Sequence, residues 1–437
     1  MPVTAPAPVY KIGRTTGIAI VVANMVGTGV FTSLGFQVLD IQSGFVLLML
    51  WAVGGLIALC GALSYGELAA AMPRSGGEYH YLSQIYHPAV GFLSGWVSAT
   101  VGFAAPTALA AMALGRYAQS VWPAASPVGL SIGVVLLLTA VHATSSRAGS
   151  RLQVVITTVK VLLIVGFIGT GLLLATPQPL SFVPHTTDWR QLLSPAFAIS
   201  LIYVSYAYSG WNAAAYLTGE VKQPQRSLPQ ILLVGTAVVL LLYIGLNFVF
   251  LYSTPISKLA GQVEVGFVAA TQLFGPVGGR LMGGLIAALL VSTVSSMIFA
   301  GPRIVQVMGE DLPALQSLAQ TSAAGIPVRA MFLQTGLTLL FILTSTFDKV
   351  LVYAGFVLSL FTFLTVLGLF ILRWRQPTLA RPYRAWGYPV TPLLFLLLSG
   401  WTLVFILRDK PMESLYGLAT LVVGLGFYYL SRTKQKV

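Results

Sequence analysis

Charge is the first thing this chain has little of. Only 8% of its 437 residues are Asp, Glu, Lys or Arg and 56% are hydrophobic, whereas a soluble globular protein carries roughly 25% charged residues. A water-soluble fold is excluded. Acidic residues are scarcer than basic ones, 11 against 24, for a net charge of +13. In a soluble chain that balance would point to nucleic acid; here the basic residues are spread over many short loops without a continuous patch, which excludes nucleic acid as a partner. Cysteine is limited to Cys60, inside an apolar run, so an intramolecular disulfide is impossible and the residue reads as small packing. The four histidines, His80, His87, His142 and His185, lack the HExxH spacing of a metalloprotease, and no GxSxG elbow accompanies them. The expectation is no enzyme, no catalytic residue, no metal and no cofactor. The opening MPVTAPAPVYKIGR has no apolar core of its own, which argues against a cleaved signal peptide. A channel would show a repeated filter or a charged ring, and neither is present.

What the chain has is length in apolar runs. A membrane helix needs about 20 apolar residues, and the runs predict helices at 14–37, 44–71, 89–117, 128–145, 152–175, 195–219, 229–252, 280–308, 328–346, 350–372, 388–407 and 412–431. The stretch 253–279, with Pro255, Lys258 and Glu264, is too interrupted to span and predicts a short surface helix. Twelve crossings put both termini on one side. Lys11, Arg14, Arg74, Arg147, Arg151, Lys222, Arg226, Arg303, Arg329, Arg373, Arg375, Arg381, Arg384 and the tail basics fall on that side. The positive-inside rule therefore makes it cytoplasmic. Trp122, Trp189, Trp374, Trp386, Tyr388, Tyr428 and Tyr429 lie near segment ends, where interfacial belts form.

Two segments are interrupted. The first reads IVVANMVGTGVF, with Gly27 and Gly29 some 20 Å into the membrane at 1.5 Å per residue; the sixth reads LIYVSYAYSGWNAAAY, with Ser209 and Gly210 at a matching depth. Glycines alone are as well explained by close helix packing. The matched second interruption, five helices on, favours a pair of broken helices. Five is odd, so a five-helix repeat would return inverted, as in secondary transporters. Backbone groups freed at such breaks must line a polar cavity, because hydrocarbon leaves them unpaired. Helix N-terminal amides favour a carboxylate, and C-terminal carbonyls an ammonium.

Lys160, in ITTVKVLLIVGF, would carry its charge about 13 Å into the bilayer. A cation there costs at least ~2.5 kcal/mol by insertion scales, so it requires a partner or water; the alternative is snorkelling to the headgroups.

GTGVF at 27–31, SGGEYHYLSQIYHP at 75–88 and YAYSGWNAAAYLTGEVKQPQRSLP at 206–229 resemble the amino acid, polyamine and organocation permeases, the third stretch in particular the L-type amino acid transporter branch. The resemblance runs through the first ten spans. It implies an all-α integral membrane protein with a LeuT-type 5+5 inverted repeat plus two appended helices, helices 1 and 6 being discontinuous. The corresponding division is a tail at 1–13, a first repeat at 14–175, a second at 195–372, appended helices at 388–431 and a tail at 432–437. It further implies a main-chain site: amides of Gly27, Thr28 and Gly29 for the substrate carboxylate, and carbonyls of Met25, Tyr206, Ala207 and Ser209 for its amine. Tyr206 would also close over the substrate, with Tyr208 and Trp211 beside it, although the branch often has phenylalanine at 206 and glycine at 209. Lys160 resembles a built-in substitute for a sodium ion, touching the first helix and one of Ser292, Ser295 and Ser296 on the eighth. Glu220 is a gate to Arg14 or another basic residue, or simply an exposed loop ion pair.

These residues predict a sodium-independent carrier of amino acids, neutral ones favoured, working by alternating access as a permease or antiporter in the cell membrane. Cationic amino acids or polyamines are the alternative substrates, and a ligand sensor on a transporter scaffold is the alternative class. Animal members of the branch pair with a single-span subunit through an outer-loop cysteine. With Cys60 inside segment 2, no disulfide-linked subunit is expected.

Overall fold

The computed structural model describes residues 12–74, 76–144, 150–311, 315–322 and 325–433. The tails at 1–11 and 434–437 and the loop at 145–149, with Lys11, Arg147, Lys434 and Lys436, lie outside the described residues. In chain order the helices are α1 (Arg14–Met25), α2 (Gly29–Gln37), α3 (Gly44–Ala71), α4 (Gly77–Ile85), α5 (Pro88–Val97), α6 (Ala104–Val121), α7 (Pro127–Thr144), α8 (Ser150–Leu174), α9 (Asp188–Leu192) and α10 (Pro195–Tyr208). They continue as α11 (Ala213–Tyr216), α12 (Pro224–Ser253), α13 (Ile256–Leu259), α14 (Val265–Asp311), α15 (Gln316–Ala319), α16 (Val328–Thr344), α17 (Phe347–Arg375), α18 (Val390–Asp409) and α19 (Pro411–Thr433). Among the described residues the one strand-like pairing is an isolated parallel bridge, Ile12 with Val221. The described residues are all-helical, and among them 10 helical stretches are long and apolar enough to cross a membrane. Pro195–Tyr208 and Val328–Thr344 are apolar but shorter.

Local chemistry starts these helices where the apolar runs begin. Ser43 accepts the Val46 amide at 3.3 Å, and Ser194 accepts that of Phe197 at 3.2 Å ahead of Pro195. His87 caps α5 through Nδ1, 3.1 Å from the Ala89 amide, with Pro88 at the first position. A side-chain acceptor satisfies an amide that has no partner inside the helix, and proline there lacks the amide altogether.

The single helix expected over 89–117 is in two parts, α5 and α6, joined by a π-turn at Ser98–Gly102; a π-turn accommodates a surplus residue without ending the rod. The helix expected at 280–308 begins earlier, at Val265, and bends at Gly275, whose φ of 74° and following Pro276 interrupt the ladder. Only α13 is a separate surface helix in the interrupted stretch.

Side-chain and backbone contacts sort the connections onto two faces. On one, Ile12 exchanges backbone bonds with Glu220 (3.0 Å) and Lys222 (2.9 Å), Asn212 meets Glu78, and Arg375 donates to the Ile85 carbonyl at 3.0 Å. We call this the basic face. On the other, the Gly261 amide donates to Gly35 at 2.8 Å and that of Gln178 to Tyr252 at 2.9 Å. Between the faces α3 packs along α12 and α6 along α14.

The basic face is tied by one buried carboxylate. Glu67, fully buried on α3, receives Arg373 through Nε (2.8 Å) and Nη2 (2.6 Å), the Ala385 amide at 2.6 Å, and Arg381 at 3.4 Å. The Arg373 guanidinium also lies 3.5 Å over the Tyr388 ring. Removing one member of such a group leaves an uncompensated buried charge, which costs about 3–5 kcal/mol. Glu67→Gln should therefore lower the thermal unfolding temperature of the detergent-solubilised protein markedly, whereas Glu220→Gln, at an exposed side chain, should leave it unchanged; equal effects would contradict this assignment.

Candidate functional site

Two interruptions of helix face each other. Val26–Thr28 separate α1 from α2, and 209–212 separate α10 from α11. Val26 (φ −74°, ψ 79°) and Ser209 (φ −55°, ψ 151°) leave the helical region, and Gly210 adopts φ +96°. A Cβ on Gly29 would lie 2.4 Å from Ala207 Cα, and one on Gly210 would lie 2.9 Å from the Asn24 carbonyl carbon. Each break is thus docked on the helix end of the other, and at these two positions only glycine fits. Gly27 differs: a Cβ there would meet nothing nearer than the Met25 oxygen at 3.9 Å. Packing explains Gly29 but leaves Gly27 facing space.

The backbone groups at the breaks are unequally engaged. The Gly27 amide is bonded to the Met25 carbonyl at 2.8 Å. Among the described residues no acceptor meets the amides of Thr28, Gly29 or Val30, which begin α2 and point out of its N-terminus. The unpaired amides are therefore Thr28, Gly29 and Val30, one residue on from the expected Gly27, Thr28 and Gly29, because the tight turn at Met25 consumes the first amide. On the acceptor side, Met25 also takes the Tyr243 hydroxyl at 2.6 Å, which lies 3.1 Å from the Ala207 carbonyl. The Tyr206 carbonyl accepts the Ser209 amide at 3.0 Å. No described donor meets the Ser209 carbonyl.

Tyr243, on α12, is a residue that the sequence reading missed. Its ring is held between Trp51 (5.6 Å, 88°) and Tyr208 (5.0 Å), leaving the hydroxyl aimed at both α1 and α10. The available signal was its place in an apolar run, LLLYIGLNF, where a buried hydroxyl requires a partner.

Lys160, 4% exposed on α8, donates to the Val26 carbonyl at 3.3 Å and to Thr293 Oγ1 at 2.8 Å. It reaches the first break and does not snorkel. Thr293, and none of the expected serines, is its partner on α14. Ser292 and Ser296 turn back onto their own helix, toward Leu289 (3.0 Å) and Thr293 (2.9 Å), and Ser295 faces His142 on α7 at 2.7 Å. Successive helical residues are 100° apart, so one position of error changes the face.

The aromatic residues divide. Tyr206 is buried near the end of α10, two residues before its last turn ends at Tyr208. Tyr208 donates to the Trp51 carbonyl at 3.0 Å and belongs to the core between α10, α3 and α12, which is a correction to its assignment as a gate. Trp211 packs edge-on against Tyr65 at 4.7 Å on the basic side of the second break. Glu220 makes no ion pair with Arg14 or any other basic side chain among the described residues; its exposed side chain is passed over while its carbonyl holds Ile12. Toward the opposite face Phe36 stacks between Tyr203 (5.7 Å) and Phe347 (5.8 Å), and the Tyr203 hydroxyl donates to Asp348.

The family model for amino acid permeases matches residues 12–427. The chain belongs to that family. Curated relatives include the large neutral amino acids transporter small subunit 2 of Mus musculus, 28% identical over 96% of this chain and 80% of its own length. The Asc-type amino acid transporter 1 of the same species is 27% identical over 98% of this chain and 82% of its own length. The b(0,+)-type amino acid transporter 1 is 26% identical over 96% and 87%. The permease thus falls within the L-type branch of the superfamily and is a multi-pass membrane protein.

Leaving a buried ammonium short of an acceptor costs about 1–3 kcal/mol. Thr293→Val should accordingly lower the unfolding temperature, while Ser292→Ala and Ser296→Ala, whose hydroxyls bond only their own helix, stay near the parent protein; the reverse order would refute Thr293 as the Lys160 partner.

Proposed function

We propose that the permease is a sodium-independent exchanger of neutral amino acids that binds the substrate backbone between the two helix breaks and works by alternating access. The observation that carries this reading is the juxtaposition of unpaired α2 amides with the carbonyl ends of α1 and α10. A zwitterion has the charges to satisfy both: its carboxylate on Thr28, Gly29 and Val30, its ammonium among the carbonyls of Met25, Tyr206, Ala207 and Ser209. Tyr243 now holds two of those acceptors, and it would share or yield them when an ammonium arrives. Gly27 leaves the entry open, and Tyr206 covers the substrate.

In this reading α10 with α11 and α16 complete twelve crossings. Residues 14–175 and 195–372 form inverted five-helix repeats of LeuT type, and α18 and α19 are appended. The packing of α3 on α12 and of α6 on α14, equivalent helices of the two repeats, supports that pairing. The basic face is cytoplasmic by the positive-inside rule, with both termini on it and the protein in the cell membrane. Cys60, 2% exposed within α3, offers no accessible thiol to a disulfide-linked subunit, which supports a partner-free carrier.

Sodium independence rests on Lys160. Its ammonium spans the Val26 carbonyl and Thr293, the positions a cation would bridge between a broken helix and its neighbour, and it is permanently attached. The neutral preference rests on the break itself, whose side chains bring no carboxylate to it. Glu78, bonded to Asn212 at the end of the second break, is the feature that favours a cationic substrate instead. Its oxygen already accepts two donors, so it ranks second.

Uptake of labelled amino acids into proteoliposomes, with and without preloading, tests the reading. Preloading should accelerate uptake of neutral amino acids in sodium-free buffer, and Lys160→Ala should reduce exchange by tenfold or more, on the order of the 1–3 kcal/mol set by an unpaired buried group. Stimulation of the parent protein by sodium, or preferential uptake of lysine, arginine or polyamines, would contradict it; binding without uptake would indicate a sensor.

A further inference from the structure

One acidic side chain of the basic face is buried without a cation. Glu78 is 5% exposed at the start of α4, in the loop between α3 and α5. Tyr65 Oη (2.6 Å) and Asn212 Nδ2 (3.0 Å) both donate to the same oxygen, Oε1. Among the described residues nothing donates to Oε2 and no basic group pairs with the carboxyl. The neighbouring carboxylate, Glu67, takes Arg373 and Arg381, so the nearby guanidinium groups are occupied elsewhere. The other titratable groups around Glu78 are Tyr65 on α3, Tyr81 on α4 and Tyr216 on α11. Beyond these, His80 lies two residues on in the first turn of α4 with Arg74 near it, His87 caps α5, and Arg375 of α17 meets the far end of α4.

The contact joins two elements that have to part if the basic side of the site is to open. Gly77 lies against the Tyr216 ring, where a Cβ would come within 2.8 Å. Asn212 belongs to the second break, and Trp211 rests on Tyr65. Withdrawal of α11 from α4 would therefore expose Glu78 to water.

We propose that Glu78 is a proton-binding latch: the α4–α11 contact closes with a proton on Oε2 and opens when that proton leaves to the same aqueous side. This rests on reading that contact as the cytoplasmic closure of the carrier. The proton is taken from and returned to one compartment, so it regulates the cycle without driving it. Burial pushes the carboxyl from 4.5 up to about 7, opposed by the hydrogen bonds from Tyr65 and Asn212. A carboxyl whose pKa is higher when buried binds more protons in the closed form, so acid favours closure. The bias toward closure is fully present below the pKa of the solvated carboxyl and is lost as pH rises through about 7.

A cysteine-accessibility experiment tests the latch without requiring transport. In full-length Cys60→Ser protein in lipid vesicles, Ala214→Cys is placed on buried α11 and labelled from the basic side with an impermeant maleimide, rates being normalised to a free thiol. Labelling should slow about tenfold between about pH 8 and pH 5.5, as a raised carboxyl pKa requires. Glu78→Gln, which cannot ionise, should label slowly at both. Tyr65→Phe, which removes a donor to the ionised form, should move the midpoint to higher pH. Equal pH dependence with Glu and Gln at 78 would overturn the proposal, as would an unmoved midpoint in the Tyr65 variant should the Gln variant fail to fold. If uptake fails but the labelling behaves as described, the latch stands and the carrier reading falls.

Discussion

The rest of the structure depends on the need to pair backbone groups at two broken helices inside a bilayer. Hydrocarbon offers no hydrogen bonds, so each freed amide or carbonyl costs several kcal/mol unless protein or a polar ligand meets it. The permease answers with a fixed side-chain shell: Lys160 on the Val26 carbonyl, Tyr243 on Met25 and Ala207, and the Gly27 turn folded onto Met25. What this shell leaves unpaired are the amides of Thr28, Gly29 and Val30 and the carbonyl of Ser209, and the proposed substrate site is built around them. In the proposed reading, selectivity for a zwitterion follows from helix ends and does not need charged side chains at the site.

Two interlocks hold those ends together. Glycine at 29 and 210 lets each break rest on the other helix's terminus, and Tyr243 spans the same gap with one hydroxyl. A movement of α1 relative to α10 must therefore break or remake these contacts, and in the proposed reading this is how occupancy of the site is coupled to the arrangement of the two helices. Access is bounded by different chemistry at each face: stacked Phe36, Tyr203 and Phe347 with Asp348 on one, and Trp211, Tyr65, Asn212 and Glu78 on the other. The basic face also carries the Glu67 ion-pair cluster, which anchors α3 to α17.

Much of the helical layout was legible because apolar runs of membrane length have few alternative structures, and the breaks were legible because glycine and serine interrupt them at matching depths. Lys160 was visible as a charge in an apolar run. Its partner was not: Ser292, Ser295 and Ser296 are chemically as suitable as Thr293, and only helical phase, which a sequence leaves free by a residue or so, separates them. The run of unpaired amides lies one residue further on than expected, at Thr28 to Val30, for a similar reason, since the turn at Met25 is decided by tertiary contacts. Glu67 and Glu78 flank the connection after the second apolar run, and nothing in the run marks either as buried; the burial of both depends on α17 and on the second break before α11, which are distant in the chain. Tyr208 and Tyr243 look alike in sequence, and packing against Trp51 sends one hydroxyl to the core and the other to the site.

The most direct test of the account is a calorimetric titration of the permease in lipid nanodiscs with the amino acid it exchanges best, with the methyl ester of that amino acid and with its N-acetyl derivative. If the helix ends hold the zwitterion, blocking either charge should weaken binding by about a hundredfold, two lost charge-assisted hydrogen bonds at roughly 1.5 kcal/mol each. Binding of either blocked form as tight as that of the free amino acid would contradict the account.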